Sequence, residues 1–540
     1  MKRTQLSLVV ALALGISATS ISGGALAQSS GDMKAQIEAL QRQLEMLKQR
    51  LDKQEAQQAQ APAQAQAAAP AGKGGHEFLE RKDSDDVTFL TRGGEVTVYG
   101  NLALSLQTSS NGLSGMVVPA GVNHTGDKPV GKGGSLAAIG SDISYVGIKG
   151  LQKVGSDNFN FVYQLETQID VSSVAGTGYS NSASSNTVKG GLTSRNSFIG
   201  LASPTWGAVK LGKTDAPYKN STSRMNAFSG MLGDYSAVMG NSGGDNRVEF
   251  GTRLDHSIWY ESPNWSGFTV NALFSPGQNR SPSNDNLAAG ESDCAGGNAP
   301  ISGITLGGGG VAACTDGAYG NAASASLAFS SGPLYVTAAY EVHKGVNRTS
   351  DQGLASTDPT DIADEAASKI AIQYLLPTKT TVSAIYEKMT RNLPNPSSTV
   401  AGNSQNERQR SGYWLAISQA LTAKDSLHFG WAHANKALGD PGAHNTTSPL
   451  GNGSTANADN AANMYTLAWR HAVDKQLSVY ADLAETKNHQ YAHYDLGAGG
   501  RSITTDCHDA TVGDPNYSGN GTCYAGATLK GIELGIAYKF

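Results

Sequence analysis

The side chains that could do chemistry fall into three groups: four cysteines, eleven histidines, and a stretch from Arg195 to Arg253 where acids and bases lie close together. None of them spells an enzyme. There is no phosphate-cradling Gly-Lys-Ser/Thr loop or Gly-x-Ser-x-Gly elbow set between a strand and a helix, and no His-Glu-x-x-His pair. The histidines are scattered. His428 and His433 fall on one expected strand with opposite parity, so they do not share a face. No catalytic residue, cofactor or metal is expected. Cys294 and Cys314 lie in one Gly-rich stretch, and Cys507 and Cys523 in another. Each pair is expected to pinch one long loop as a disulfide, which stabilises by roughly 3 kcal/mol at this loop size. Reduced thiols are the alternative. Neither pair has the close spacing of zinc ligands. The formal net charge of −5 offers no basic footprint for a nucleic acid.

The elements that would position these groups begin with an export signal. Lys2 and Arg3 precede the apolar run Leu6 to Ile16, and Ala25-Leu26-Ala27 is a small-x-small cleavage site. Residues 1–27 therefore read as a signal peptide, with an oxidising destination. Residues 28–56 carry a heptad seam. Met33, Ile37, Leu40, Leu44, Leu47 and Leu51 alternate spacings of four and three, with Gln, Glu, Lys and Arg between them. The seam predicts a short α-helical coiled coil that self-associates, as a dimer or a trimer. A single helix lying on its own domain is the alternative. Residues 57–93 open on Ala, Gln, Pro and Gly almost alone and read as a linker.

From 94 onward the texture is that of short alternating strands. Ile532, Leu534, Ile536, Tyr538 and Phe540 share one face, and Gly531, Glu533, Gly535, Ala537 and Lys539 share the other. Period-two alternation places one face against an apolar medium and the other against water. Strands are expected near 95–107, 142–153, 158–171, 195–203, 207–214, 253–262, 267–276, 319–330, 334–344, 368–376, 380–392, 411–420, 425–436, 462–472, 476–488 and 527–540. Their connections alternate short and long, which puts every short turn at one end of an up-and-down sheet. After the export signal, no run approaches the roughly 18 apolar residues of a membrane helix. A sheet in lipid must close, because each unpaired backbone group there costs several kcal/mol. The expected fold is thus all-β: an antiparallel transmembrane β-barrel of about sixteen strands over 94–540, wide enough for an aqueous channel. Tyr99, Trp206, Trp259, Tyr260, Trp265, Trp469, Tyr538 and Phe540 are candidates for its aromatic girdles.

Three stretches resemble the Gram-negative trimeric porins of the general-diffusion type. They are Val96-Thr97-Val98-Tyr99-Gly100, then Ser194 to Leu201 with Trp206 to Lys213, and Ser257 to Pro263 with Gly267-Phe268. Phe540 is similar to the terminal aromatic that the barrel-assembly machinery reads in that family. A coil ahead of the barrel resembles the layout of some sugar- and dicarboxylate-selective porins. The resemblance implies an outer-membrane protein with its coil in the periplasm, surrounded by lipid and assembled as a homotrimer. It implies passive passage of small hydrophilic solutes and ions. A channel selective for an organic anion or a sugar is the second reading. An envelope tether or adhesin that binds peptidoglycan is the third.

In that family the third long loop folds inward and sets acids against a ladder of wall bases. The corresponding stretch is 214–253. The resemblance puts Arg195, Lys210, Lys213 and Arg253 on the wall and Arg224, Asp234, Tyr235, Asp245 and Arg247 on the loop. Parity independently turns Lys210 inward, away from Val209 and Leu211. Lys213 shares parity with Leu211, and a bulge at Gly212 would re-aim it. Parity does not settle Arg195. The chain departs from the enteric pattern at Met231-Leu232-Gly233-Asp234-Tyr235, and at Tyr145, where many relatives have arginine.

Overall fold

The computed structural model describes residues 80–81, 87–110, 138–155, 159–169, 171, 195–240, 250–276, 298–301, 304–307, 319, 321–347, 362–392, 409–436, 459, 461–489, 492, 494–497 and 526–540. All belong to the compact unit Glu77–Phe540. The signal sequence, the seam from Met33 to Leu51 and all four cysteines lie outside the described residues.

Sixteen strands follow one another around a closed sheet. They are β1 (Gly94–Ser109), β2 (Tyr145–Lys153), β3 (Asn160–Gln168), β4 (Ser197–Ser203), β5 (Gly207–Asp215), β6 (Arg253–Glu261), β7 (Phe268–Ser275) and β8 (Asn321–Ser331), followed by β9 (Leu334–Asn347), β10 (Ile362–Leu375), β11 (Thr380–Asn392), β12 (Arg410–Ala420), β13 (Asp425–Ala434), β14 (Ala462–Ala472), β15 (Leu477–Asn488) and β16 (Thr528–Lys539). Each pairs antiparallel with the next, and β16 returns to β1 with Gly531 opposite Ser109 and Lys539 opposite Asn101. Phe540 finishes the seam: Gly100 N donates to its carbonyl at 3.0 Å, and its own N donates to Gly100 O at 3.2 Å. No edge of this ring is left to face lipid.

The outer face is the apolar one. Leu106, Ile148, Leu211, Ile370, Leu467, Ile532 and Leu534 all point outward and are exposed, one face of each strand. A continuous apolar belt of this size belongs in a membrane, not in water. Aromatics edge the belt. Trp206 packs on Phe159, Phe268 on Phe329 and Tyr538 on Phe540 at the short-turn end. Tyr340, Tyr386, Tyr413, Trp431 and Tyr465 share the outward parity toward the other end.

Four expectations need correction. Tyr99 and Trp259 are not girdle residues. Both face inward, where Tyr99 OH donates to Glu166 Oε2 at 2.9 Å and Trp259 Nε1 to Glu261 Oε1 at 2.8 Å. A polar handle on an aromatic ring can bond on either side of the wall, so residue type alone does not choose the face. Strand β10 starts at Ile362 rather than near 368, because Glu365 is an inward residue that binds Arg391 at 2.6 Å across to β11. The barrel side of the linker boundary also shifts. Val87–Thr91 forms a hairpin with the start of β1, turned by Arg92-Gly93, with Thr88 and Thr97 hydroxyls 2.9 Å apart. Finally, a helix, α1 (Pro217–Ser223), opens the connection from β5 to β6, where only loop was expected.

Leu534→Arg places a charge on the outward face of β16. It should cost about 2–4 kcal/mol in urea unfolding from lipid vesicles, whereas Trp265→Arg, at the short-turn rim, should cost about 0–1 kcal/mol. Equal costs at the two positions would contradict the placement of the belt.

Candidate functional site

The wall of β2–β6 holds the predicted bases, and each meets an acid. Arg195 lies two residues before β4, where its backbone N already donates to Glu166 O of β3 at 3.0 Å. Its Nε reaches Glu166 Oε1 at 2.5 Å, and its guanidinium lies 4.8 Å over the Tyr145 ring. Tyr145 thus serves as a cation–π platform for Arg195. Lys210 points inward as its parity requires, 2.6 Å from Glu261 Oε2 and 4.6 Å over Phe198. Lys213 is re-aimed by a bulge. Gly212 has φ +143°, the register of β5 against β6 shifts there, and Lys213 Nζ reaches Asp255 Oδ1 at 3.0 Å. Arg253 Nε is 3.3 Å from Asp215 Oδ1 and donates to Asn196 Oδ1 at 3.1 Å, while Lys219 Nζ also reaches Asp215 at 2.9 Å.

The sequence Gly207 to Thr214 has the glycine and lysine spacing of a phosphate-binding loop, which the motif reading passed over. All its residues lie in β5, and Lys213 is bound to Asp255, so no loop is there to cradle phosphate. Gly240 to Gly244 likewise has the spacing of a Gly-x-Ser-x-Gly elbow, but it follows a short 3₁₀ turn (Tyr235–Ala237) rather than a strand.

The stretch after β5 lies against the opposite wall. Its anchors are apolar. Met225, Phe228, Met231, Val238 and Met239 pack with Ile385 of β11, Trp414 of β12 and Met464 of β14. Leu232 joins Leu496 and Leu529. Fully burying such a side chain stabilises by about 1.5–3 kcal/mol. Sequence reading went to the charges of this loop and missed these residues. The signal was there: six large apolar side chains between 225 and 239, in a loop otherwise rich in Gly, Ser, Asn and Asp. Gly233, at φ +71°, lets the backbone touch the wall, since a Cβ there would sit 2.3 Å from Thr466 Oγ1.

Polar bonds fix the same stretch. Glu387 of β11 accepts from Tyr218 OH at 2.6 Å and from Gly240 N at 2.8 Å. Glu533 of β16 accepts from Leu232 N at 2.7 Å. Thr466 donates to Gly233 O at 2.8 Å, Arg470 to Ala227 O at 2.8 Å, and Arg410 to Val238 O. Lys369 donates to Thr222 Oγ1 at 2.9 Å. Burial pushes the Tyr218 phenol well above its ordinary pKa, and the Glu387 carboxylate adds to the shift. Tyr218 therefore remains a proton donor throughout the physiological range.

The predicted loop residues part company here. Arg224 is exposed and lies 4.3 Å over the Tyr335 ring. Asp234 organises the loop itself, accepting from Asn226 Nδ2 at 2.8 Å and from Ser236 N at 2.9 Å. Tyr235 packs 4.9 Å from the Trp414 ring, with its hydroxyl 3.1 Å from Thr222, and burial raises its pKa. Asp245 and Arg247 lie outside the described residues.

A family profile described as Gram-negative porin matches residues 58–491. No curated protein matches the chain. Among solved structures, an anion-selective porin from Comamonas acidovorans is 15% identical, with TM-score 0.52 over 83% of this chain and 100% of its own. The outer-membrane OmpT of Vibrio cholerae is 14% identical, with TM-score 0.46 over 84% of this chain and 100% of its own. OmpF of Salmonella typhi, solved with daunomycin, is 13% identical, with TM-score 0.46 over 83% and 98%. The Comamonas likeness is one of fold. With the profile matched over most of its length and sixteen strands closed into a barrel, the chain belongs to the Gram-negative porin family and forms an outer-membrane channel.

Proposed function

We propose that the channel passes small hydrophilic solutes and ions by diffusion, and that the stretch 214–253 narrows it. The supporting observation is the set of bonds from residues 218–240 to Glu387, Thr466, Arg470 and Glu533 on three different strands. A segment tied at these points hugs the β8–β16 side of the barrel. Solutes then pass between it and the wall of β2–β6, where Arg195, Lys210, Lys213 and Arg253 lie. The chain assembles as a homotrimer in outer-membrane lipid. The seam from Met33 to Leu51 forms a periplasmic coiled coil, and Cys294–Cys314 and Cys507–Cys523 close as disulfides in two long loops. Residues 1–27 are removed on export.

Arg195, Lys210, Lys213 and Arg253 each have an acid within reach, which favours weak ion preference over a strong one. A single unpaired charge about 8 Å from a passing ion is worth roughly 2 kcal/mol at an effective dielectric constant of about 20, before salt screening. Selectivity is therefore set by whichever charge loses its partner.

Two outcomes follow. Purified protein in a planar bilayer should give stepwise openings with a small reversal potential in a KCl gradient. Glu166→Gln should shift that potential toward anions and Arg195→Gln toward cations. Shifts of the same sign in both variants would contradict the pairing. Glu387→Gln removes one acceptor oxygen and the charge that receives Tyr218 and Gly240, a loss of about 1.5–3 kcal/mol at the loop's two ends. Open-channel noise and mean conductance should both rise. Unchanged traces from a variant with wild-type urea stability would mean that the loop is not held there.

A further inference from the structure

A base in the lumen keeps or loses its field according to what holds it. Arg195, Lys210, Lys213 and Arg253 are each held by a carboxylate 2.5 to 3.3 Å away, which cancels most of the charge that a passing ion would feel. Lys149 and Arg224 are held by rings instead. Lys149 of β2 faces inward, because Ile148 beside it faces outward, and its Nζ lies 5.1 Å over the Tyr99 ring. Arg224 follows α1, and its guanidinium lies 4.3 Å over the ring of Tyr335 on β9. Both bases are exposed, and among the described residues neither forms an ion pair with a carboxylate. A tyrosine ring attracts a cation through its quadrupole and carries no net charge of its own. It therefore fixes a base in place without cancelling it.

The two rings are themselves fixed. Tyr99 OH donates to Glu166 at 2.9 Å, and Tyr335 OH donates to the Ser221 carbonyl at 2.6 Å. Gly147 gives Tyr99 its room, since a Cβ there would sit 2.5 Å from the ring. The acids do not offset Lys149 and Arg224. Glu341, Glu365, Glu387, Asp482 and Glu533 are at most 2% exposed. Asp234 is half-buried, and its carboxylate accepts from Asn226 and Ser236 of its own loop. Glu166, Asp215, Asp255 and Glu261 are each occupied by a base. The exposed charges that these pairings leave uncancelled are positive, and one of them sits on the loop, where the resemblance placed acids.

We propose that Lys149 and Arg224 determine the ion preference of the channel, and that the preference is for small inorganic anions over cations. The inference rests on the channel reading and supplies the sign that the paired charges leave open. Salt screens two exposed charges, so the preference is modest: chloride should pass over potassium by about two- to five-fold at roughly 0.1 M salt, where the Debye length is about 10 Å.

The test is the reversal potential of the purified protein in a planar bilayer under a KCl gradient. Wild type should give the sign set by chloride. The preference should fade as both compartments approach roughly 1 M salt, where the Debye length is about 3 Å. Arg224→Gln and Lys149→Gln should each lower the chloride-to-potassium permeability ratio about 1.5- to 2-fold, and the double variant should bring it to unity or below. Arg224→Lys keeps the charge and should recover most of what Arg224→Gln loses. A wild-type potential set by potassium, or a double variant with the wild-type ratio, would overturn the proposal while the conductance itself upholds the channel reading. A folded barrel without conductance would overturn the channel reading and the proposal with it. The sign and its salt dependence are read on wild type, so the proposal stands or falls even where a variant does not fold.

Discussion

The carboxylate of Glu387 gathers the inside of this barrel. One oxygen receives Tyr218, at the start of the inward stretch, and the other receives Gly240, near its described end. Arg410 stands 3.7 Å away and also reaches the Val238 carbonyl. A buried carboxylate without such partners would be costly, and hydrogen bonds that satisfy both oxygens turn that cost into a specification of place. The segment between its two contacts can then lay Phe228, Met231 and Val238 on the wall and nowhere else.

Two solvents act on one strand. Lipid selects the outward set, and the lumen selects the inward set. Because the side-chain period is two, a single residue of slip would exchange them. The chain tolerates departures only where something local corrects them. Gly212 takes a backbone angle that few residues adopt, and Lys213 turns inward to Asp255. Arg195 precedes its strand, is tied to Glu166 by backbone and side chain, and lies over Tyr145. These wall charges are thereby locked as pairs. This differs from an open ladder of bases.

The barrel was readable because each strand carries its own evidence. Alternation in Ile532 to Phe540, and the short turns at Ser203 to Trp206 and Ser331 to Pro333, are local features that need no knowledge of distant residues. Lys210 and Lys213 were readable for the same reason, one from parity and the other from the glycine beside it. The inward stretch was not. Tyr218 and Glu387 are 169 positions apart, and neither looks unusual alone. Trp259 and Tyr99 looked like girdle residues because an aromatic with a polar tip suits an interface and a lumen alike. Asp234 looked like a pore acid, but its bonds are to its own loop, a local turn function that aspartate performs often.

The central claim is that a wall-bound loop narrows a barrel otherwise wide enough for an open aqueous pore. The most direct measurement is the size of neutral polyethylene glycol that still enters the wild-type channel, read from single-channel conductance as polymer mass increases. The account predicts that entry stops at a radius well below that of an empty sixteen-stranded barrel. Entry continuing up to the full barrel radius would mean that the stretch from Tyr218 to Gly240 does not stand in the path, and would contradict it.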